Sequence, residues 1–582
     1  MKDLDVSRSI CDVFKGYDHK DKINENEWFD EKNMSSRCYP LAATRGLRGV
    51  YAEATAPAGI IAKDALAYVD GANLIFNGYT IAMNLSTSDN MVPKQLISMG
   101  AYLLVWPDKK YLNTQNLSDF GSMENTYTAG ETTVVTVSLC NLDGDIYDNY
   151  TASAVAPANP TDGQMWLDIS GDSPVLKKYS AEIVSWVGVE TTYLKISAEG
   201  INTGFERYDG VTISGFAGSL SNLNQTYVIY GIGTGYVIVA GLLTGQAVTQ
   251  TGGVSASRTV PDMDYVTECG NRVWGCKYGM VNGETVNEIY ACKLGDFRNW
   301  HCFMGLSTDS YSASRGSDGV FTGAITHLGH PLFFKEGYIE KVYPAANGAH
   351  QIVTTVARGV QRGCWRSLHI VGETLFYKSV SDICAYAGSL PESVSDPLGS
   401  EAYHDARAGA VGGVYYISMA DTAGNYHLFT LDTERGVWHK EDDTKAMMFA
   451  ECDGELYWID ETTGKIVCAN GAVCDAENRE TQIEWEIISG YFGMETADRR
   501  SLMRLIIRLE YDGNFDLFIQ YDDKTVWERI GARGSTNTQP GTVSMPVRPR
   551  RCDHFRIKLK GKGTVCKIYS ISKCVEKGSD VV

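Results

Sequence analysis

The residues best suited to chemistry lie near the C-terminus. HFRIKLKGK alternates so that a strand would place His554, Arg556, Lys558, Lys560 and Lys562 on one face and Phe555, Ile557 and Leu559 on the other. Arg548, Arg550 and Arg551 stand just upstream. A row of cations attracts a phosphate backbone or an acidic protein surface, and the same pattern also describes a solvated outer face. Both readings stay open at this point.

Other chemistry-bearing residues are fewer. His327 and His330 in THLGHP are spaced for one helix face, but their surroundings read as strand and turn, where the rings are expected to diverge. Asp143, Asp145 and Asp148 in NLDGDIYDN loosely resemble a calcium loop, yet the aligned glycine and the distal glutamate are missing, so an Asp-rich turn is expected. The carboxylate pairs Asp442/Asp443 and Asp522/Asp523 sit in turn-like sequence and read as solvated. There is no P-loop, no HExxH, no GxSxG and no GxGxxG between a strand and a helix. The expectation is therefore no enzyme, no cofactor and no metal, although propellers do host hydrolases and lyases in their central channels.

The elements that must position these residues are strands. The 582 residues include 33 Tyr and 59 Gly, with turn signals every eight to twelve residues, which points to an all-β chain of several domains. One outline recurs: an apolar strand, a tight polar turn and a second apolar strand. It is found at LAYVDGANLIFNG (66–78), YLLVWPDKKYLNT (102–114), VWGCKYGMVNGETVNEIYAC (273–292) and LFFKEGYIEKVYP (332–344). It returns at LFYKSVSDICAYAGSL (375–390), VYYISMADTAGNYHLFTLD (414–432) and LYWIDETTGKIVC (456–468). The start-to-start spacings are 36, 171, 59, 43, 39 and 42. Most lie near the length of a four-stranded propeller blade, and an insertion accounts for the long one.

The predicted fold is a β-propeller of about seven blades (45–125 and 261–475) with a small inserted β-domain (126–260) and a C-terminal β-sandwich (476–582). Residues 1–44 are predicted to form an N-terminal arm that threads into a neighbour, the alternative being a lead-in to the first blade. Trp300 and Trp438, each delivered by a polar turn, are placed to wedge against neighbouring blades or simply to fill the core. Trp166, Tyr179 and Trp186 are the insert's candidate glycan-stacking platform, and residues of these types are also common in cores.

A net charge of −19 argues against a surface that grips nucleic acid throughout, while an acidic wall would suit a passage through which DNA slides. Fifteen Cys without a CxxC read as reduced thiols, expected of a chain that folds in a cytoplasm. The N-terminus is charged and lacks a signal peptide's apolar core. TYVIYGIGTGYVIVAGLLTG is long enough to cross a bilayer, but its central glycines and β-branched flanks read as two strands around a turn, so no membrane insertion is expected.

Three stretches carry a family resemblance: WFDEKNMSSRCYPLAATRGLRG, LGDFRNW with GVFTGAITHLGHPLFFKEGYIEKVY, and PRRCDHFRIKLKGKGTVCKIYSI. They resemble a family of tailed-bacteriophage virion proteins, and the architecture resembles the propeller-containing tail nozzle and packaged-DNA stabilisation proteins of short-tailed phages. The resemblance implies a structural virion protein of the tail, assembled in the bacterial host cytoplasm. It would be copied several times, commonly six, in a ring at the nozzle or head–tail junction. Its partners would be its own copies, the portal or adaptor and other tail proteins. Packaged DNA would pass the lumen without sequence-specific binding, and the ring would help retain and then eject the genome. The alternative is a baseplate or receptor-binding virion protein that recognises a cell-surface glycan.

Overall fold

The computed structural model describes residues 6–87, 93–189, 192–243, 245–494, 499–522, 525–534 and 537–577. Seven four-stranded sheets among them are the blades of a β-propeller, and each of the seven recurring hairpins supplies the two middle strands of one blade. Blade 1 spans Pro57–Lys63 to Tyr79–Ile81, and blade 2 spans Gln95–Met99 to Phe120–Ser122. Blade 3 spans Tyr265–Glu268 to Tyr311–Ser314, and blade 4 spans Gly323–His327 to Gln351–Val356. Blade 5 runs from His369–Val371 to Pro391–Ser393, and blade 6 from His404–Val411 to Val437–Lys440. Blade 7 takes Ala446–Cys452, Glu455–Asp460 and Lys465–Cys468 from one end of the chain and Gly49–Glu53 from the other. That fourth strand pairs Lys465 with Glu53 and Cys468 with Gly49, closing the blade across more than 400 residues.

The chain forms two compact units, 1–96 with 317–341 and 353–582, and 97–316 with 342–352. In the first, blades 4 to 6 share one core in which Phe334, Tyr377, Tyr415, Phe429 and Trp438 are buried. Trp438 is a wedge between blades: its Nε1 donates to the Val394 carbonyl of blade 5 at 2.9 Å. Blades 7 and 1 pack through Ile60, Leu66, Met447 and Ile459.

The sandwich belongs to the same unit. Its strands are β1 (Val6–Cys11), β2 (Trp28–Lys32), β3 (Met34–Ser35), β4 (Ala42–Thr44), β5 (Ile483–Ser489), β6 (Arg500–Tyr511), β7 (Asn514–Tyr521), β8 (Glu528–Gly534), β9 (Asn537–Pro546), β10 (Phe555–Gly563) and β11 (Cys566–Lys577). One sheet runs β3-β4-β11-β6-β9 with β1 also on β11, and the other runs β2-β5-β10-β7-β8. Trp485, Leu505, Ile507, Phe515, Phe555 and Leu559 fill the space between them. The expected free arm over 1–44 is therefore corrected, since its strands cover edges of β5 and β11 that would otherwise present unpaired backbone groups.

In the second unit, blades 2 and 3 pack through Leu104, Trp106, Val273, Phe297 and Trp300. The insert leaves and re-enters through one antiparallel pair, Asn125–Thr128 with Ser255–Arg258, which lets a separate domain grow from a blade. It holds an eight-stranded sheet and a four-stranded lobe formed by Tyr150–Ser153, Met165–Asp168, Val175–Ser180 and Ser185–Gly188. Residues 226–240 are two paired strands, and no helix among the described residues is long and apolar enough to cross a membrane.

Candidate functional site

β10 is the middle strand of its sheet, so every cation it points outward has a neighbour on each side. Lys560 lies directly between Glu486 of β5 and Asp516 of β7, and Lys562 lies between Glu484 and Asn514. Glu484 and Lys562 form an ion pair at 3.3 Å, while Asp516 also takes Arg529 at 2.5 Å. Lys558 and Arg556 are half-buried among aromatic rings. Lys558 Nζ is 4.6 Å from the Trp527 centroid, and the Arg556 guanidinium is 4.9 Å from Tyr491, 5.2 Å from Trp527 and 5.6 Å from Phe29. Arg550 is spent on Glu528, at 2.9 Å, and on the Tyr521 ring. Arg548 and Arg551 are exposed, and His554 is buried. The predicted basic stripe is thus one real strand face, with its charge largely neutralised by cross-strand carboxylates and cation–π contacts.

The other sheet carries the less compensated cations. Its outer face is built in register rows. Arg8, Cys574, Arg504 and Pro546 form one, Ile10, Ser572, Ile506 and Ser544 the next, and Ser570, Arg508 and Thr542 the third. Arg504 and Arg508 are exposed, and no ion pair joins either to a described carboxylate. Arg8 reaches only the Ser572 hydroxyl, at 3.5 Å. Glu510, on the same strand, is engaged by Lys567 and Tyr569. Sequence reading passed over this face, although the alternation in RRSLMRLIIRLEY places Arg504, Ile506 and Arg508 together.

A buried ionic junction ties the sandwich to blade 7. Arg45 and Arg48 occupy the turn from β4 into the blade's closing strand, and Glu480 occupies the return segment before β5. Arg45 holds Glu480 with two hydrogen bonds, at 2.6 and 3.0 Å, and the Arg48 backbone N–H donates to the same carboxylate. The Arg48 side chain meets Glu441 at 2.5 Å and Asp442 at 2.6 Å and lies over the Trp458 ring at 5.0 Å. Burial works against charge on Asp442 and Glu480, but the two arginines outweigh it and hold both carboxyls below their usual range. Asp442 is thus a buried ion-pair partner, not the solvated turn expected, and Asp443 lies 3.3 Å from His427. A cleft of about 510 Å³ opens beside the junction, with Arg48, Asp442, Trp458, Asp460, Arg479 and Glu480 among its walls.

The remaining sequence candidates separate. His327 and His330 do not diverge: they are paired directly across the Leu328–Gly329 turn, and the His327 Nε2 lies 2.8 Å from the Glu373 carbonyl. Among the described residues no three His, Cys, Asp or Glu side chains are grouped to hold a metal. Asp145 closes a turn with Asn141, while Asp143 and Asp148 are exposed. Asp522 accepts the Asp553 N–H, and Asp523 lies outside the described residues. The insert's aromatics do come together, Trp166–Trp186 at 5.3 Å and Tyr179–Trp186 at 5.4 Å, but with interplanar angles of 67° and 63° they pack edge to face. Trp166 is buried and donates to the Ser153 carbonyl, so the three make a small packed cluster and no flat platform.

Together these features define a β-propeller that carries an inserted β-domain and a strand-exchanged terminal sandwich. A scan against protein-family models gave no match, and a search of curated proteins gave none. Solved structures similar to part of the chain include an exo-β-1,3-galactanase from Phanerochaete chrysosporium, at TM-score 0.21 and 7% identity over 53% of this chain and 94% of that one. A glycoside hydrolase family 43 arabinoxylan arabinofuranohydrolase from Bacillus subtilis matches at TM-score 0.18 and 10% identity, over 54% and 95% of the two chains. An acylaminoacyl peptidase from Pyrococcus horikoshii matches at TM-score 0.23 and 13% identity, over 54% and 55%. The expectation of a chain that is not an enzyme is corrected by this finding, because the structures it matches are enzymes. At these similarities no residue, substrate or reaction is carried over from them.

Proposed function

We propose that the chain is a structural component of a bacteriophage tail that assembles in several copies into a symmetric ring around the DNA path. The observation that carries the reading is charge segregation. Residues 476–582 hold 18 Lys and Arg against 15 Asp and Glu, within a chain of net charge −19, and the sandwich keeps an outward face of uncompensated arginines. Opposite charge on different parts of identical subunits favours heterologous contacts, which close into rings when the rotation permits. An acidic propeller suits a wall past which DNA moves without adhering. The phage assignment rests on the sequence phrases quoted above.

The test is native mass spectrometry of the purified chain together with its copy number relative to the portal in particles. A ring, and a ratio set by a six- or twelve-fold component, is the expected result. Absence from particles would overturn the reading and direct attention to glycan binding and hydrolysis.

A further inference from the structure

The row-built outer face of β1, β11, β6 and β9 has the composition of a protein-binding surface. Ile10 is 60% exposed, and together with Ile506 it forms an apolar centre between the Arg8/Arg504 row and Arg508. Hydroxyls of Ser544, Ser570 and Thr542 fill the rest. A phosphate backbone has no use for the isoleucines, whereas an apolar centre rimmed by arginine is characteristic of protein interfaces. The same chain carries a surface of opposite character. Residues 141–189, which include the four-stranded lobe, hold seven Asp and Glu against two Lys. At the lobe's tip, the turn between Val175–Ser180 and Ser185–Gly188 exposes Ile183 by 60% and Val184 by 75%. Val184 adopts φ 51°, a left-handed conformation that a β-branched residue takes only at a cost, of order 1–3 kcal/mol. A strained, exposed apolar tip on an acidic lobe complements an apolar centre with an arginine rim.

We infer that the lobe tip of one copy docks on the β1/β11/β6/β9 face of a second copy. Ile183 and Val184 seat on Ile10 and Ile506, and exposed lobe carboxylates such as Glu182 and Asp172 meet Arg8, Arg504 and Arg508. The contact is heterologous, so each copy offers one tip and one face. The inference deepens the multi-copy reading and rests on it.

The test uses the full chain in sedimentation velocity at low and high ionic strength, with circular dichroism as the folding check. The face variant is Arg504→Glu with Arg508→Glu, with Arg504→Gln and Arg508→Gln as a milder pair should the first not fold. The tip variant is Ile183→Ser with Val184→Asn, since asparagine tolerates the left-handed turn. Wild type is expected to assemble, less so at high salt, and each variant alone to remain monomeric. An equimolar mixture of the two variants should form a one-to-one dimer and nothing larger, because only one competent tip and one competent face remain. Assembly of the face variant at wild-type strength, a monomeric wild type, or a monomeric mixture overturns the contact. If the variants assemble normally while particles still contain a ring-like copy number, this interface fails and the ring reading stands.

Discussion

Replacing Arg48 by Ala tests the buried junction most directly. The side chain is enclosed and satisfies Glu441, itself 3% exposed, at 2.5 Å and Asp442 at 2.6 Å. Burial opposes its charge, and Asp442 with Glu441 more than offsets that, so its pKa is raised. Removing one partner of such a pair leaves an uncompensated buried carboxylate, a loss of about 3–5 kcal/mol, to which the stacking on Trp458 adds up to about 2. Urea denaturation of the full chain, followed by tryptophan fluorescence, reads the loss. The double variant Arg48→Met with Glu441→Leu should recover most of it, because an apolar pair of similar volume removes the stranded charge. The pH dependence supplies a sign check. In Arg48→Ala the folded Glu441 carboxyl is pushed above its unfolded pKa, so the folded state binds the extra proton and the deficit shrinks as pH falls from about 8 to about 5. A single-variant loss below about 1 kcal/mol, or strictly additive losses in the double variant, would refute this account of the junction.

Two further outcomes follow from the same physics. Burial lowers the pKa of His369 to about 4, so its neutral form belongs to the folded state; stability is full above the unfolded value near 6.5 and declines as pH falls toward 4. The contribution, at most about 3 kcal/mol, should show as a urea midpoint that drops over that window in wild type and drops less in His369→Asn. Lys560→Glu would put a third carboxylate between Glu486 and Asp516, and a destabilisation of about 1 kcal/mol, larger at low salt, is expected with self-association unchanged. Loss of self-association in Lys560→Glu would return the predicted stripe to the centre of the interface.

What the sequence made legible was the middle of each blade. A hairpin such as LYWIDETTGKIVC must bury Leu456, Trp458 and Ile459 whatever surrounds it, and its turn residues mark the two strands. The outer strands were not legible, because Tyr79–Ile81, Phe120–Ser122 and Pro391–Ser393 are short, partly exposed edges without an apolar run. β9 was missed for the same reason, since NTQPGTVSMP carries a proline and few apolar residues and lies at the end of its sheet. The pairing of Gly49–Glu53 with Lys465–Cys468 leaves no local mark on either segment. The candidate site failed differently. Alternation in HFRIKLKGK correctly assigns a face, but whether that face is available depends on Glu484, Glu486 and Asp516, which reach it only through pairing with other strands.

The fate of Arg556 shows why strand alternation alone cannot find a binding surface. Its charge is committed to an internal ladder of rings. Arg556 lies over Phe29, Phe29 stacks on His19 at 4.3 Å, His19 stacks on Tyr17 at 5.7 Å, and Tyr17 packs on Phe429 of blade 6 at 5.6 Å. Backbone hydrogen bonds run alongside, from the Tyr17 N–H to the Trp438 carbonyl and from the His19 N–H to that of Pro397, so this stretch of the N-terminal segment is held from both sides. With the Arg45–Glu480 and Arg48–Glu441 pairs, the sandwich joins blades 6 and 7 through buried polar and aromatic contacts on two chain crossings. A linker free to bend would dissipate a load applied to the sandwich's outer face. A junction whose every partner is buried and paired instead passes that load into the blades, as a subunit held to its neighbours by the sandwich requires.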